Sequence, residues 1–217
     1  MRQLARPRCL LVVAPHADDE AIGAYGLIWR LRRRGVAVRI LVVTDGAASH
    51  PSSSAWPPAR LTSERRRETR REMRRIGVTA DRIQFLSLPD GGLSTMVSSA
   101  RRLIAAEVRR APRPLTLLGP ADDDDHPDHR VVAGALADCR GARVRRVSYP
   151  VWPAGRVLPH HIALPLGGQT RLAKRLAIRR YRTQAGRITD DPAGFAMTRA
   201  QVAAFSRPYE TFVVHTF

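Results

Sequence analysis

The chain is nearly devoid of lysine: Lys174 stands alone among 37 lysine and arginine residues. It has only 2 cysteines, too few for a disulfide framework, and Cys9 falls in an apolar run that predicts a buried strand. Aromatic residues make up 6% of the sequence, and no helix-turn-helix, zinc-finger or aromatic RNA-binding signature is present. No nucleic-acid partner is therefore expected. No apolar run approaches the ~20 residues that span a bilayer, so no membrane span is expected either. The opening "MRQLARPRCLLVVAP" puts basic residues before an apolar stretch, as a signal peptide does. That stretch is too short and leads straight into "HADDE"; it reads as the first strand, and a cytoplasmic location is expected.

What is present is enough for a substantial core. The 217 residues are 44% hydrophobic, and a single domain over residues 1–217 is expected. The net charge of +18 admits two readings. One is an anionic partner: nucleic acid, a membrane surface or a phosphorylated substrate. The other is compositional bias, since nearly all the basic residues are arginine and they are spread over several helices.

Strand-like runs recur at Cys9–Ala14, Ala37–Val43, Ile83–Leu86, Leu115–Leu118, Val144–Tyr149 and Thr211–His215. Helical patterns separate them, at about Glu20–Arg34, Leu61–Ile76, Ser98–Arg110 and Arg130–Arg140, with another near Thr170–Arg182. This alternation predicts an α/β fold, a Rossmann-like, mostly parallel sheet with helices on both faces. Glu64, Glu68 and Glu72 are spaced for i,i+4 pairing on a partly exposed helix. Ser49–Ala59 reads as a Ser/Pro loop, in which Trp56 could stack on a sugar face, and the stretch after the fifth strand reads as irregular.

Two clusters carry the chemistry. "PHADDE" places His16, Asp18, Asp19 and Glu20 where the first strand feeds a helix. His16 and Asp19 offer imidazole and carboxylate donors suited to zinc or another divalent ion, which leaves Asp18 free as a base. "ADDDDHPDHR" repeats the arrangement after the Leu115–Leu118 strand, with Asp122–Asp125, His126, Asp128 and His129. In a parallel sheet both clusters face one edge and can supply one metal jointly. Read alone, the first cluster could be an acidic helix start stabilised by the macrodipole, and the second a solvated acidic loop.

The two clusters together resemble a known family. "PHADDEAIGAYG" is similar to the P-H-P-D-D-E signature of the PIG-L/LmbE-like N-acetylglucosaminyl deacetylases, and "HPDHR" to that family's H-x-D-H motif. The resemblance continues through "VVTDG", Arg65 and Glu68, "LPDG" and "KRLAIRRYRTQ"; Ala17 departs from it where the family usually has proline.

The resemblance implies the LmbE-like fold and one zinc ion per chain, with another divalent ion possible, held by His16, Asp19 and His129. Asp18 would be the general base and His126 the second acid/base group. Asp128 would orient a neighbouring histidine, while Arg65 and Asp90 would contact substrate. The implied reaction is zinc-dependent removal of the acetyl group from an N-acetylglucosamine-type conjugate, anionic if the arginine excess serves binding. A metal-dependent phosphoesterase, with bridging carboxylates from Asp122–Asp125, and a basic nucleic-acid-binding protein on the same fold are the alternatives. Tyr181 and Gln184 either line the pocket or pack the late helix, and Asp45 and Asp90 are equally at home in Asp-Gly turns.

Overall fold

The computed structural model describes residues 7–215; the first six residues, with the basic part of the signal-like opening, lie outside them. Five strands, β1 (Cys9–Ala14), β2 (Ala37–Thr44), β3 (Ile83–Leu88), β4 (Leu115–Pro120) and β5 (Val144–Tyr149), run parallel. β6 (Ile162–Pro165) and β7 (Tyr209–Val214) complete one sheet in the order β3-β2-β1-β4-β5-β7-β6, and β7 runs antiparallel to both of its neighbours. The helices are α1 (Asp19–Arg32), α2 (Pro58–Arg75), α3 (Val97–Arg110), α4 (Pro127–Asp138), α5 (Gly168–Arg180) and α6 (Arg199–Phe205).

Side-chain alternation on the central strand explains the three layers. Leu10, Val12 and Ala14 of β1 join the core under α1, α5 and α6, whereas Cys9, Leu11 and Val13 join the core under α3 and α4. Both faces are thus covered, as a parallel sheet requires. Chain order reverses between β1 and β4, which opens a crevice at their carboxyl ends.

Three expectations need correction. The stretch read as irregular contains β6, a four-residue strand that forms only by pairing with the distant β7. Helix α2 begins at Pro58, a residue suited to a first helical turn, so the Ser/Pro loop is shorter than it reads. Glu68 and Glu72 are fully buried rather than on an outer face. Glu68 accepts hydrogen bonds from Thr183 N and Oγ1, while Glu64 pairs with Arg67, Arg71 and Arg187, and the buried Glu72 with Arg75 and Arg180. Thr198 and Gln201 form a capping box at the start of α6, a signal the sequence carries in its Thr-x-x-Gln spacing.

One buried charge pair ties α1 to the antiparallel strands. Ala24 leaves helical geometry (φ −145°, ψ 15°), and just beyond it Gly26 N and Leu27 N donate to the two oxygens of Glu210 on β7, at 2.8 and 2.9 Å. Lys174 Nζ reaches the same carboxylate at 2.9 Å, and both side chains are almost fully buried. The chain's one lysine is therefore a structural counter-ion. Lys174→Met strands the Glu210 charge and is expected to lose about 3–5 kcal/mol in urea unfolding. Adding Glu210→Gln should recover part of that loss; no recovery would show that the pair is not coupled.

Candidate active site

The crevice gathers both polar clusters, because β1 delivers residues 15–20 and β4 delivers residues 121–129 to the same edge. Pro127 opens α4 and His126 caps it, its Nδ1 accepting from Asp128 N at 3.2 Å. These local signals orient His129 inward, one turn along.

Three donors form a nearly equilateral triangle at the crevice floor. His16 Nδ1 lies 3.3 Å from Asp19 Oδ2, His129 Nε2 lies 3.2 Å from the same oxygen, and the two ring nitrogens are 3.2 Å apart. A tetrahedral zinc with ligands at about 2.0–2.1 Å has donor-to-donor edges of about 3.3 Å, so this donor set fits such an ion. The far sides of both rings face carboxylates. His16 Nε2 is 3.1 Å from Asp90 Oδ1 and 3.4 Å from Asp128 Oδ2, and His129 Nδ1 is 3.2 Å from Asp124 Oδ1. Carboxylates behind imidazoles are the usual support of a metal-binding histidine. Two wider donor groups, His16 with His126 and His129, and His16 with Asp90 and Asp128, both share His16.

The electrostatics call for a positive charge at this point. Burial disfavours charge on His16, but Asp128, Asp19 and Asp90 outweigh it and hold its pKa well above the ordinary value. Burial likewise opposes charge on His129, yet Asp19 and Asp124 raise it to about 9. Asp19 resists its own burial because the two imidazoles hold it ionised, well below the usual carboxylate range. His126 moves the other way: burial and the charged His16 and His129 lower its pKa. The raised values of both imidazoles mark a point that favours positive charge, which a bound divalent cation would supply.

Asp18 behaves differently from its neighbours. It is buried, and desolvation raises its pKa well above the usual carboxylate range against the pull of Arg65. Its backbone sits at φ 132° and ψ −25°, a sparsely populated region for a residue with a side chain, at a cost of order 1–3 kcal/mol.

A cleft of about 950 Å³ opens above this floor, with His16, Asp18, Asp19 and His126 at its base. Its far wall is apolar, formed by Trp152, Pro153, Phe195 and Met197, with the Trp152 and Phe195 rings edge to face at 6.0 Å. Gln184 and Arg65 also line it. Among the described residues Arg65 is the one arginine that does so, and it is 3% exposed, with Nη1 and Nη2 donating to the carbonyls of Gly46 and Ala17. Asp90 meets His16 as described, accepts from Ala48 N at 3.2 Å, and is lowered to about 2 as these contacts outweigh its burial.

Other residues singled out by the sequence fall elsewhere. Trp56 does not line the cleft; it packs with Leu61 and Ile188, its ring held between Arg60 and Arg187. Tyr181 is fully buried, and its hydroxyl donates to Glu20. Asp45 holds the turn by accepting from Ala47 N and Asp90 N. The four aspartates separate: Asp122 and Asp123 pair with Arg146 and Arg156, Asp124 backs His129, and Asp125 lies at the cleft mouth. No bridging set forms. A run of four aspartates gave no reason to select Asp124, and nothing nearby in the sequence pointed to Trp152 or Phe195.

The profile of the PIG-L family, described as GlcNAc-PI de-N-acetylase, matches residues 11–139, which include both clusters. The chain belongs to the PIG-L family. It is 32% identical over 183 residues to the 2'-N-acetylparomamine deacetylase of Streptomyces fradiae, a match covering 78% of this chain and 61% of that protein. It is 33% identical over 94 residues to the 1D-myo-inositol 2-acetamido-2-deoxy-alpha-D-glucopyranoside deacetylase of Kineococcus radiotolerans, covering 42% and 26%. The chain thus spans about three fifths of the first relative's length and about a quarter of the second's. The fold matches that of N,N'-diacetylchitobiose deacetylase from Pyrococcus horikoshii, with a TM-score of 0.75 at 20% identity, over 96% of this chain and 84% of that one.

The carboxylate behind His129 gives this family site a residue to test. Asp124→Asn preserves shape and removes charge, so zinc titrated calorimetrically should bind about 10- to 100-fold more weakly than to the unaltered protein. Unchanged affinity would separate His129 from the metal.

Proposed function

We propose that residues 1–217 act as one cytoplasmic metal-dependent deacetylase domain that hydrolyses the acetamide of an N-acetylated amino-sugar conjugate. The observation that carries this reading is the 3.2–3.3 Å triangle of His16, Asp19 and His129 beneath a cleft wide enough for a glycoside. These three residues would hold the ion, with zinc as the expected metal. When bound, a divalent ion acidifies water and polarises the scissile carbonyl. The relatives support an N-acetylated sugar as substrate, since both are named as deacetylases of such compounds.

The protein's own groups divide the proton work. Asp18, at the cleft floor and outside the triangle, takes a proton from the attacking water; its raised pKa brings it nearer the range of an effective base. His126 lines the same cleft, 4.6 Å ring to ring from His16, and relays to the departing nitrogen the proton that Asp18 has taken from water. Asp128 fixes both His16 and the turn at residues 91–93, because its oxygens also accept from Gly91 N and Leu93 N at 2.8 and 3.1 Å. Asp90 lies at the edge of the cleft, where a sugar hydroxyl can reach it. Trp152 and Phe195 offer faces for the apolar side of a sugar ring or of its attached group.

Acetate release from a panel of N-acetylglucosamine glycosides tests the reading. Activity should vanish with a chelator and return with zinc. His16→Ala, Asp19→Ala and His129→Ala should each abolish tight zinc binding. Asp18→Asn should retain zinc and fold while turnover falls about 10²- to 10⁴-fold. Full turnover in the presence of chelator, or in Asp18→Asn, would overturn the reading.

A further inference from the structure

A single peptide bond at the cleft floor is gripped at both of its polar ends. The Ala17 carbonyl accepts from Arg65 Nη2 at 3.0 Å, and the Asp18 N–H donates to Glu20 Oε2 at 3.1 Å. Each grip is itself braced. Arg65 Nη1 is tied to the Gly46 carbonyl at 3.1 Å, and the other Glu20 oxygen accepts from the Tyr181 hydroxyl at 2.5 Å. Arg65 is 3% exposed, and Glu20 and Tyr181 are wholly buried, so water does not compete for these bonds.

The orientation of this peptide sets φ of Asp18, the 132° that a residue with a Cβ does not adopt unaided. Strain of this kind persists only where the surroundings over-determine the backbone. Here the surroundings are side chains from α1, α2 and the end of α5, brought together by the tertiary fold. Arg65 also lies 3.8 Å from Asp18 Oδ1, so one guanidinium meets both the peptide and the carboxylate it carries.

We propose that Arg65, Glu20 and Tyr181 are positioning residues that hold the Ala17–Asp18 peptide in its strained orientation and thereby aim the Asp18 carboxylate into the cleft. The inference rests on the reading of Asp18 as the base. It gives Arg65 a different task from gripping an anionic substrate: each of its terminal nitrogens donates to a backbone carbonyl. Tyr181 does not line the cleft, and its hydroxyl, which also meets Thr69, reaches the peptide through Glu20.

Tyr181→Phe removes one buried oxygen and keeps the ring. With the best substrate of the glycoside panel, kcat should fall about 10- to 100-fold while KM stays within about twofold, the mark of a displaced reacting group rather than lost binding. Zinc affinity should not change. Hydrogen exchange at the Asp18 amide, followed by NMR, should accelerate, because its acceptor is no longer fixed. Arg65→Lys, which can still donate to Ala17 O, should retain more kcat than Arg65→Met. Unaltered Asp18 exchange in Tyr181→Phe, or a rise in KM alone in the Arg65 variants, would overturn the proposal. Should the unaltered protein release no acetate from any glycoside, the deacetylase reading fails, and the exchange measurement still decides whether the clamp exists.

Discussion

The architecture turns on one electrostatic constraint: several carboxylates and two imidazoles are withdrawn from water at the end of β1, and none is tolerable there alone. Asp19 is held ionised by His16 and His129, and the pKa values of those rings are raised in turn by Asp19 and by Asp90, Asp124 and Asp128 behind them. Each member is stabilised by the next. The sheet supplies the meeting point, since strands β1 and β4 diverge in connectivity and leave room between their loops. A divalent cation between the three donors would satisfy the same set.

The site was legible in the sequence where chemistry and topology pointed the same way. That His16, Asp19 and His129 meet was readable because two dense polar clusters each followed an apolar run, and parallel strands bring such clusters to one edge. The residues that brace them were not. Asp124 is one of four adjacent aspartates, and only the fold decides which one turns inward. Glu68 and Glu72 read as surface charges because helical spacing says nothing of what later packs on the helix; Thr183, over a hundred residues on, converts Glu68 into a buried acceptor. Trp56 misled for the complementary reason, since a tryptophan in a Ser/Pro loop gives no hint of the two arginines that enclose it.

The arginine excess looks different in the light of the fold. Thirty-seven basic residues produce a charge of +18, yet the cleft is lined by aspartates and histidines, with Arg65 turned to backbone carbonyls. Much of the remaining guanidinium chemistry is structural: Arg32 reaches the Gly77 and Val36 carbonyls, Arg130 those of Asp124 and Asp125, and Arg171 that of Ser206. Planar forks of this kind can tie loops to helix ends, a task for which the compact ammonium of lysine is less suited.

The single lysine has a practical corollary. With Lys174 sealed against Glu210, the folded protein offers acylating reagents no side-chain amine at its surface. Covalent tagging of residue 174 would then register only those molecules in which α5 has come away from β7, so the chain carries an intrinsic chemical clock for the loosening of its antiparallel edge.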